Sequence, residues 1–322
     1  MTARGVTGTG EFDFIARYFR PLAGSGSLDL RDDCALMRCP DGKEFAISTD
    51  TMVENVHFLP DDPAETLGCK LLRCNLSDLA AMGARPHAYT LNVTVPRNGR
   101  YDEHWFSGFS RGLAADQRDY GIHLLGGDTT SITGPLVISA TVFGLLDRGS
   151  ALRRNGAAPG DEIWVTGTIG DGALGLLALQ GKISDPSGFL AERYRLPRPR
   201  TGLALHGIVS AAMDISDGLI QDCGHIAHES GVQLLIEAQT VPTSDAAAAL
   251  GPDFLMQRLS GGDDYELLLT CAPQQAKTLQ AVCQKAGVPI RRIGTVRSGS
   301  GVKILDAAGC EIISETRGWQ HF

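Results

Sequence analysis

Residues 61–95, DDPAETLGCKLLRCNLSDLAAMGARPHAYTLNVTV, change their apolar period part-way through, and that change decides the fold class. Asp62-Pro63 is a helix start: a capping residue followed by a first-turn proline. Leu67, Leu71, Cys74, Asp78 and Ala81 then share one stripe at helical spacing. Leu72, Leu76 and Leu79 lie on other faces, so the whole helix is expected to be buried. Gly83 and Pro86 close it. From Ala88 the period drops to two, with Leu91, Val93 and Val95 on one face, as in a half-buried strand. A buried helix followed closely by a strand is an α/β layer.

The same pattern extends outward. Upstream, residues 12–20 (FDFIARYFR) read as a short amphipathic helix ended by Pro21, residues 22–27 as a loop and 45–50 (FAISTD) as a strand. Downstream come a helix near 102–119 and strands near 122–126 and 136–145, completing one α/β unit. The segment GSALRRNGAAPGDE (149–162) has no periodicity and marks a boundary, giving domains 1–149 and 150–322. A second α/β unit follows: a strand at 162–167, a Gly-rich turn, a helix at 171–180, a loop over 181–202 and a helix at 203–212. The strand-turn AMDISDG leads into a helix at 218–229. Strands at 233–237 and 264–270, a helix at 274–286, and strands at 291–296 and 302–305 finish it. The fold class is α/β in two domains.

The 322 residues exceed one ordinary core. The formal net charge is −8, with no Lys/Arg run, which argues against nucleic acid and anionic membranes as partners. No apolar run approaches the roughly 20 residues of a membrane span, and the first residues lack a signal-peptide core, so the expectation is a cytoplasmic protein. The eight cysteines form no CxxC pair and read as free thiols.

Aspartates recur where apolar segments end: RDDCAL (Asp32, Asp33), STDT (Asp50), NLSDLAAMGA (Asp78), GGDTT (Asp128), DISDG (Asp214, Asp217) and SGGDDYEL (Asp263, Asp264). A strand that stops on a small residue plus Asp puts a carboxylate at the crevice where α/β proteins bind ligands. Singly, most have a simpler reading: Asp128 and Asp263 as turn residues, Asp217 as a helix cap. Asp78 resists it, since it falls in the second half of a buried helix, with no Lys or Arg one turn away. A buried carboxylate takes up a proton unless it is paired or metal-bound. Two carboxylates ~4 Å apart repel by about 4 kcal/mol at an effective dielectric of 20. As a set they therefore argue for a divalent cation, and an all-oxygen donor set suits Mg²⁺.

Two motif matches are set aside. GDGALG (170–175) fits GxGxxG, but no acidic residue at a strand end follows at the required distance, so it reads as a tight strand-to-helix turn whose N–H groups face a phosphate. GFSRG (108–112) fits GxSxG but falls inside a helix. GxxxxGK[ST] and the HRD/DFG pair do not occur.

GEFDFIARYF, DDCAL, AISTDTMVENVHF, NLSDLAAMGARP, GGDTT, GAAPGDEIWVTG, DISDGL and GGDDYEL, in that order, closely resemble the thiamine-monophosphate kinase family, from about Gly10 to Phe322. The resemblance implies an N-terminal mixed sheet with helices that dimerises and a C-terminal α/β domain. It also implies transfer from ATP to thiamine monophosphate with several Mg²⁺ ions. By position, Asp33, Asp50, Thr51, Asp78, Asp128, Asp214 and Asp217 match metal ligands. Ser48, Thr49, Gly127, Arg154 and Ser216 match nucleotide contacts, with Ser48 and Thr49 also beside the metal. His57, Asp263 and Trp319 match contacts to the thiamine substrate. The chain departs from the family with Arg31 in place of Gly before the DD pair, and with Asp263 where GGED has Glu. An acceptor phosphate is already ionised at neutral pH, so no general base is expected. The whole reading requires distant aspartates to converge.

Overall fold

The computed structural model describes residues 17–24, 27, 39–97 and 99–312. The chain divides into two compact units, Met1–Leu79 with Ala84–Arg148, and Ala80–Gly83 with Gly149–Phe322.

The first unit is built on a four-stranded mixed sheet ordered β1-β4-β2-β3, comprising β1 (Lys43–Val53), β2 (Arg85–Pro96), β3 (His123–Ile132) and β4 (Val137–Asp147). β4 pairs antiparallel with β1 and β2, and β2 pairs parallel with β3. Helices α1 (Ala64–Ala81) and α2 (Glu103–Tyr120) accompany it. α1 lies on the face carrying Ala140, Val142 and Gly144; a Cβ on Gly144 would meet the Leu79 side chain. Gly68 and Gly112 let the two helices approach closely: a Cβ on either would fall within 2.4 Å of a carbonyl oxygen of the other helix. This packing accounts for the GFSRG match, which lies within α2. Arg73 on α1 donates twice, at 2.8 Å each, to the buried Asp116 of α2. The opposite sheet face carries Ile47, 62% exposed, with Thr49 and Thr51.

The second unit holds a six-stranded sheet ordered β10-β7-β9-β5-β8-β6. Its strands are β5 (Glu162–Thr166), β6 (Ala211–Ile215), β7 (Gln233–Glu237), β8 (Glu266–Cys271), β9 (Ile290–Arg297) and β10 (Gly301–Leu305). Only β10–β7 is parallel. Alternation sends Ile163, Val165 and Leu268 to one core and Trp164, Leu267 and Leu269 to another, so both faces are covered. Helices α3 (Asp171–Leu179), α4 (Phe189–Arg195), α5 (Leu219–Ser230), the single turn α6 (Asp245–Ala248), α7 (Leu255–Ser260) and α8 (Ala276–Lys285) complete it.

Four sequence expectations change. The helix expected at 12–20 and ended by Pro21 lies mostly outside the described residues, and Pro21 sits inside a 3-10 helix, Arg20–Leu22. The helix expected at 203–212 does not form: residues 203–205 are irregular, 206–208 make a turn and 211–212 open β6, because Gly202 and Gly207 adopt φ +80° and +75° and the buried Leu203 and Leu205 alternate. The loop expected over 181–202 contains α4, whose Leu190 and Tyr194 are one turn apart and buried; Gly175 of α3 gives way to Leu190's carbonyl. Asp62 accepts the N–H of Leu59 at 2.9 Å and so secures the turn before α1. No helix among the described residues is long and apolar enough to cross a membrane.

Candidate active site

In the first unit, β1 delivers Ser48 and Asp50 to the face that α1 covers. Ser48 donates to Asp78 Oδ2 at 2.6 Å, so α1 presents its interior carboxylate to the strand. Asp78 is half-buried, less enclosed than its helical stripe suggests. Burial, then Asp78's charge, pushes the Asp50 carboxyl up to about 6. A carboxylate raised by burial and by a neighbouring carboxylate, with a hydroxyl beside the pair, is a donor set that a hard cation relieves.

Thr49 and Thr51 alternate onto the other face. Thr49 Oγ1 donates to Ala140's carbonyl and Thr51 Oγ1 to Ser139 Oγ, both at 3.1 Å. Register carries this face across the sheet: Thr51, Ser139, Asn92 and Asp128 form one rung, and Asp50, Ala140, Leu91 and Gly127 the next. Asp128 therefore stands on the Thr51 face, on edge strand β3. Three inter-strand spacings, about 14 Å, separate it from the β1 edge. One chain's sheet does not bring Asp128 beside Asp50, contrary to the expectation of a single convergent cluster. Gly127 has a packing reason of its own, since a Cβ there would lie 1.7 Å from Leu91's carbonyl oxygen.

His57 closes a turn after β1. Its Nδ1 accepts the Val53 N–H at 3.0 Å, which leaves the neutral ring its Nε2 proton. The His57 carbonyl accepts from Lys70 Nζ at 3.3 Å; Lys70 is only 2% exposed.

In the second unit, β6 carries the buried Asp214 one residue before its end at Ile215 and runs into Ser216-Asp217-Gly218. One carboxylate oxygen of Asp222, in the first turn of α5, accepts the N–H groups of Ser216, Asp217 and Gly218 at 3.1, 3.2 and 3.2 Å. Asp222 thus ties down the turn that precedes the helix, and Gly218, not Asp217, occupies the cap position without a side-chain cap. Asp217 Oδ2 instead accepts from Gln221 at 2.9 Å. Burial, then Asp217's charge, pushes Asp222 up to about 7 against its backbone donors and Arg154. Arg154 is exposed. Asp217, Asp222 and His225 hold ligand atoms within 4.8 Å of one another.

Segment 263–266 continues the β8–β6 ladder: Asp263 and Tyr265 donate their N–H groups to Ser216 and Ile215 at 2.9 and 2.8 Å. Asp264 and Glu266 point into the core, both fully buried. Asp264 accepts from the N–H of Gly170 and Gly172 at 2.7 and 3.2 Å. The GDGALG turn expected to face a phosphate is therefore committed to a protein carboxylate. Glu266 binds Arg200 twice at 2.6 Å, Arg193 at 3.1 Å and Thr166 at 2.7 Å. Asp33 and Trp319 lie outside the described residues. Asp222, Lys70 and Tyr265 were not singled out from sequence; the spacing of Asp222, one turn into a helix after a Gly, is the signal that reveals it.

The model for AIR synthase related protein, N-terminal domain, matches residues 31–146, and that for the C-terminal domain of the same family matches residues 158–306. Thiamine-monophosphate kinase of Caulobacter vibrioides is 41% identical over 321 residues, spanning 97% of this chain and 90% of that protein. The chain belongs to the thiamine-monophosphate kinase family. The crystal structure of thiamine-monophosphate kinase from Stenotrophomonas maltophilia K279a superposes with a TM-score of 0.83 at 39% identity, covering 92% of this chain and 96% of that one. A second family structure, AaThiL complexed with AMPPCP and TMP, gives a TM-score of 0.76 at 28% identity over 97% of both chains.

Proposed function

We propose that this chain transfers the γ-phosphate of ATP to the phosphate of thiamine monophosphate, giving thiamine diphosphate and ADP. The observation that carries this reading is the Asp50–Asp78 pair with Ser48, a hard-oxygen donor set held where one carboxylate is already raised by burial and its neighbour. The family relationship supplies the substrates, since a relative has been solved with AMPPCP and TMP.

Asp50 and Asp78 are the proposed Mg²⁺ ligands of the first unit, with Asp33, Asp128 and Thr51. Asp214 and Asp217 are those of the second. Ser48, Thr49, Gly127, Arg154 and Ser216 are proposed nucleotide contacts, and His57, Asp263 and Trp319 thiamine-substrate contacts. Bound Mg²⁺ supplies charge neutralisation between two polyanions. The chain's own contribution is orientation. His57 offers an Nε2 proton as donor, Asp222 holds the 216–218 turn in shape, and no residue need remove a proton from an acceptor already ionised at neutral pH. Transfer is direct, without a phosphoenzyme.

The separation of Asp128 from Asp50 favours a homodimer paired through the N-terminal sheets, in which Asp128 of one copy serves with Asp50 of the other. Mass spectrometry after incubation with ATP, Mg²⁺ and thiamine monophosphate tests the activity, with thiamine diphosphate and ADP as the expected products. Recovery of a cyclised purine precursor from an aminoimidazole substrate, with no thiamine diphosphate, points to the related synthetase reaction. A trapped phosphoprotein on the catalytic path overturns direct transfer.

A further inference from the structure

Among the described residues, three carry a left-handed backbone without being glycine: Asn55, Asp263 and Tyr265. Two of these fall within three positions, at φ +69° and +52°. L-residues adopt this region at a cost, so a paired occurrence is over-determined by its surroundings. Those surroundings are on view. Asp264 and Glu266, which alternate with the pair, are fully buried and anchored by Gly170, Gly172, Arg193, Arg200 and Thr166. The pair's own N–H groups are taken by Ser216 and Ile215. A Cβ on Gly172 would lie 2.2 Å from Asp263's carbonyl oxygen, and one on Gly262 would lie 2.3 Å from Ser216's, so the backbone is gripped from both sides.

The outcome of this grip is that Asp263 and Tyr265 stand together, half-buried, on the side away from the anchored carboxylates. Tyr265's hydroxyl donates to Asp263 Oδ1 at 3.2 Å. We infer that Tyr265 is a positioning residue for Asp263: its hydroxyl fixes the orientation of the carboxylate that meets the thiamine substrate. This rests on the reading of Asp263 as a substrate contact. The inference also bears on the chain's departure from GGED. A carboxylate one methylene shorter has fewer rotamers to lose and lies within reach of a hydroxyl two residues away, so its direction is set by the Tyr265 bond.

The test is a double-mutant cycle read in steady-state kinetics with each substrate varied separately. Tyr265→Phe removes one oxygen and keeps the ring. A hydrogen bond to a charged group that is half-exposed predicts a rise of about five- to tenfold in KM for thiamine monophosphate. The KM for ATP and kcat are expected to stay within about twofold, because only ground-state recognition of one substrate is touched. Asp263→Ala raises the same KM further, and adding Tyr265→Phe to it changes nothing more, since the hydroxyl then has no carboxylate to orient. If Asp263→Ala leaves that KM at the wild-type value, the reading of Asp263 fails and the inference with it. If Asp263→Ala raises it but Tyr265→Phe does not, or the two effects add in full, the inference is overturned and the reading stands. A Tyr265→Phe variant that weakens both substrates alike and melts lower marks a general support of the turn, which also overturns it.

Discussion

Glu266→Gln isolates the anchoring of the 263–266 segment. Glu266's side chain is 1% exposed and takes four hydrogen bonds: two from Arg200 at 2.6 Å, one from Arg193 at 3.1 Å and one from Thr166 at 2.7 Å. Every partner is a donor. Glutamine keeps the shape but turns an NH₂ toward two of them and removes the charge opposite Arg193, which is itself 3% exposed. Arg193's other carboxylate, Asp171, is 3.8 Å away, too far for a hydrogen bond. Removing one member of a buried ionic set costs about 3–5 kcal/mol. At about 2–4 °C per kcal/mol for a unit of this size, the second unit's melting temperature falls by roughly 6–20 °C. Differential scanning calorimetry measures it, with Glu103→Gln as the control. Glu103 pairs with Arg17 at 2.7 Å, but the two side chains are 43% and 57% exposed, and such a pair contributes at most about 1 kcal/mol. A Glu266→Gln protein melting within about 2 °C of wild type refutes the view that buried charge holds this segment.

Three further outcomes are expected. Asp50→Asn abolishes turnover, yet in EDTA it melts above the wild type, because it removes the repulsion with Asp78; a lower melting point in EDTA excludes the like-charge account. Mixing inactive Asp50→Asn and Asp128→Asn chains under exchange conditions restores roughly a quarter of wild-type activity if each site draws one residue from each copy of a two-fold dimer, and none if each chain is self-sufficient. Asp222→Ala strands three N–H groups and costs about 1–3 kcal/mol together with a rise in KM for ATP; unchanged kinetics would remove Asp222 from the account of the 216–218 turn.

The α/β layers were legible because hydrophobic period is a local property: the switch after Ala88 places α1 and β2 with no tertiary information. Asp78 was legible for a different reason, as a carboxylate in the wrong half of an apolar helix. Strand order was not, and it is strand order that puts Asp128 a sheet-width from Asp50. α4 is not legible, because its seven residues sit among Pro186, Pro197 and Pro199 and its support comes from Gly175 on another helix. Asp222 and Glu266 resemble ordinary surface acids until their partners, far away in sequence, are known.

The alternation at 263–266 has a consequence for how this protein can change over generations. Two acids stand side by side in GGDDYE with opposite duties, one turned outward and one locked inside. Losing or gaining a single residue just ahead of them would swap those duties along the whole segment, forcing the tyrosine ring into the space that holds Arg193 and Arg200 and casting the glutamate out into water. Substitutions at the outward positions are open to this stretch, while those at the locked acids and changes of length are closed to it.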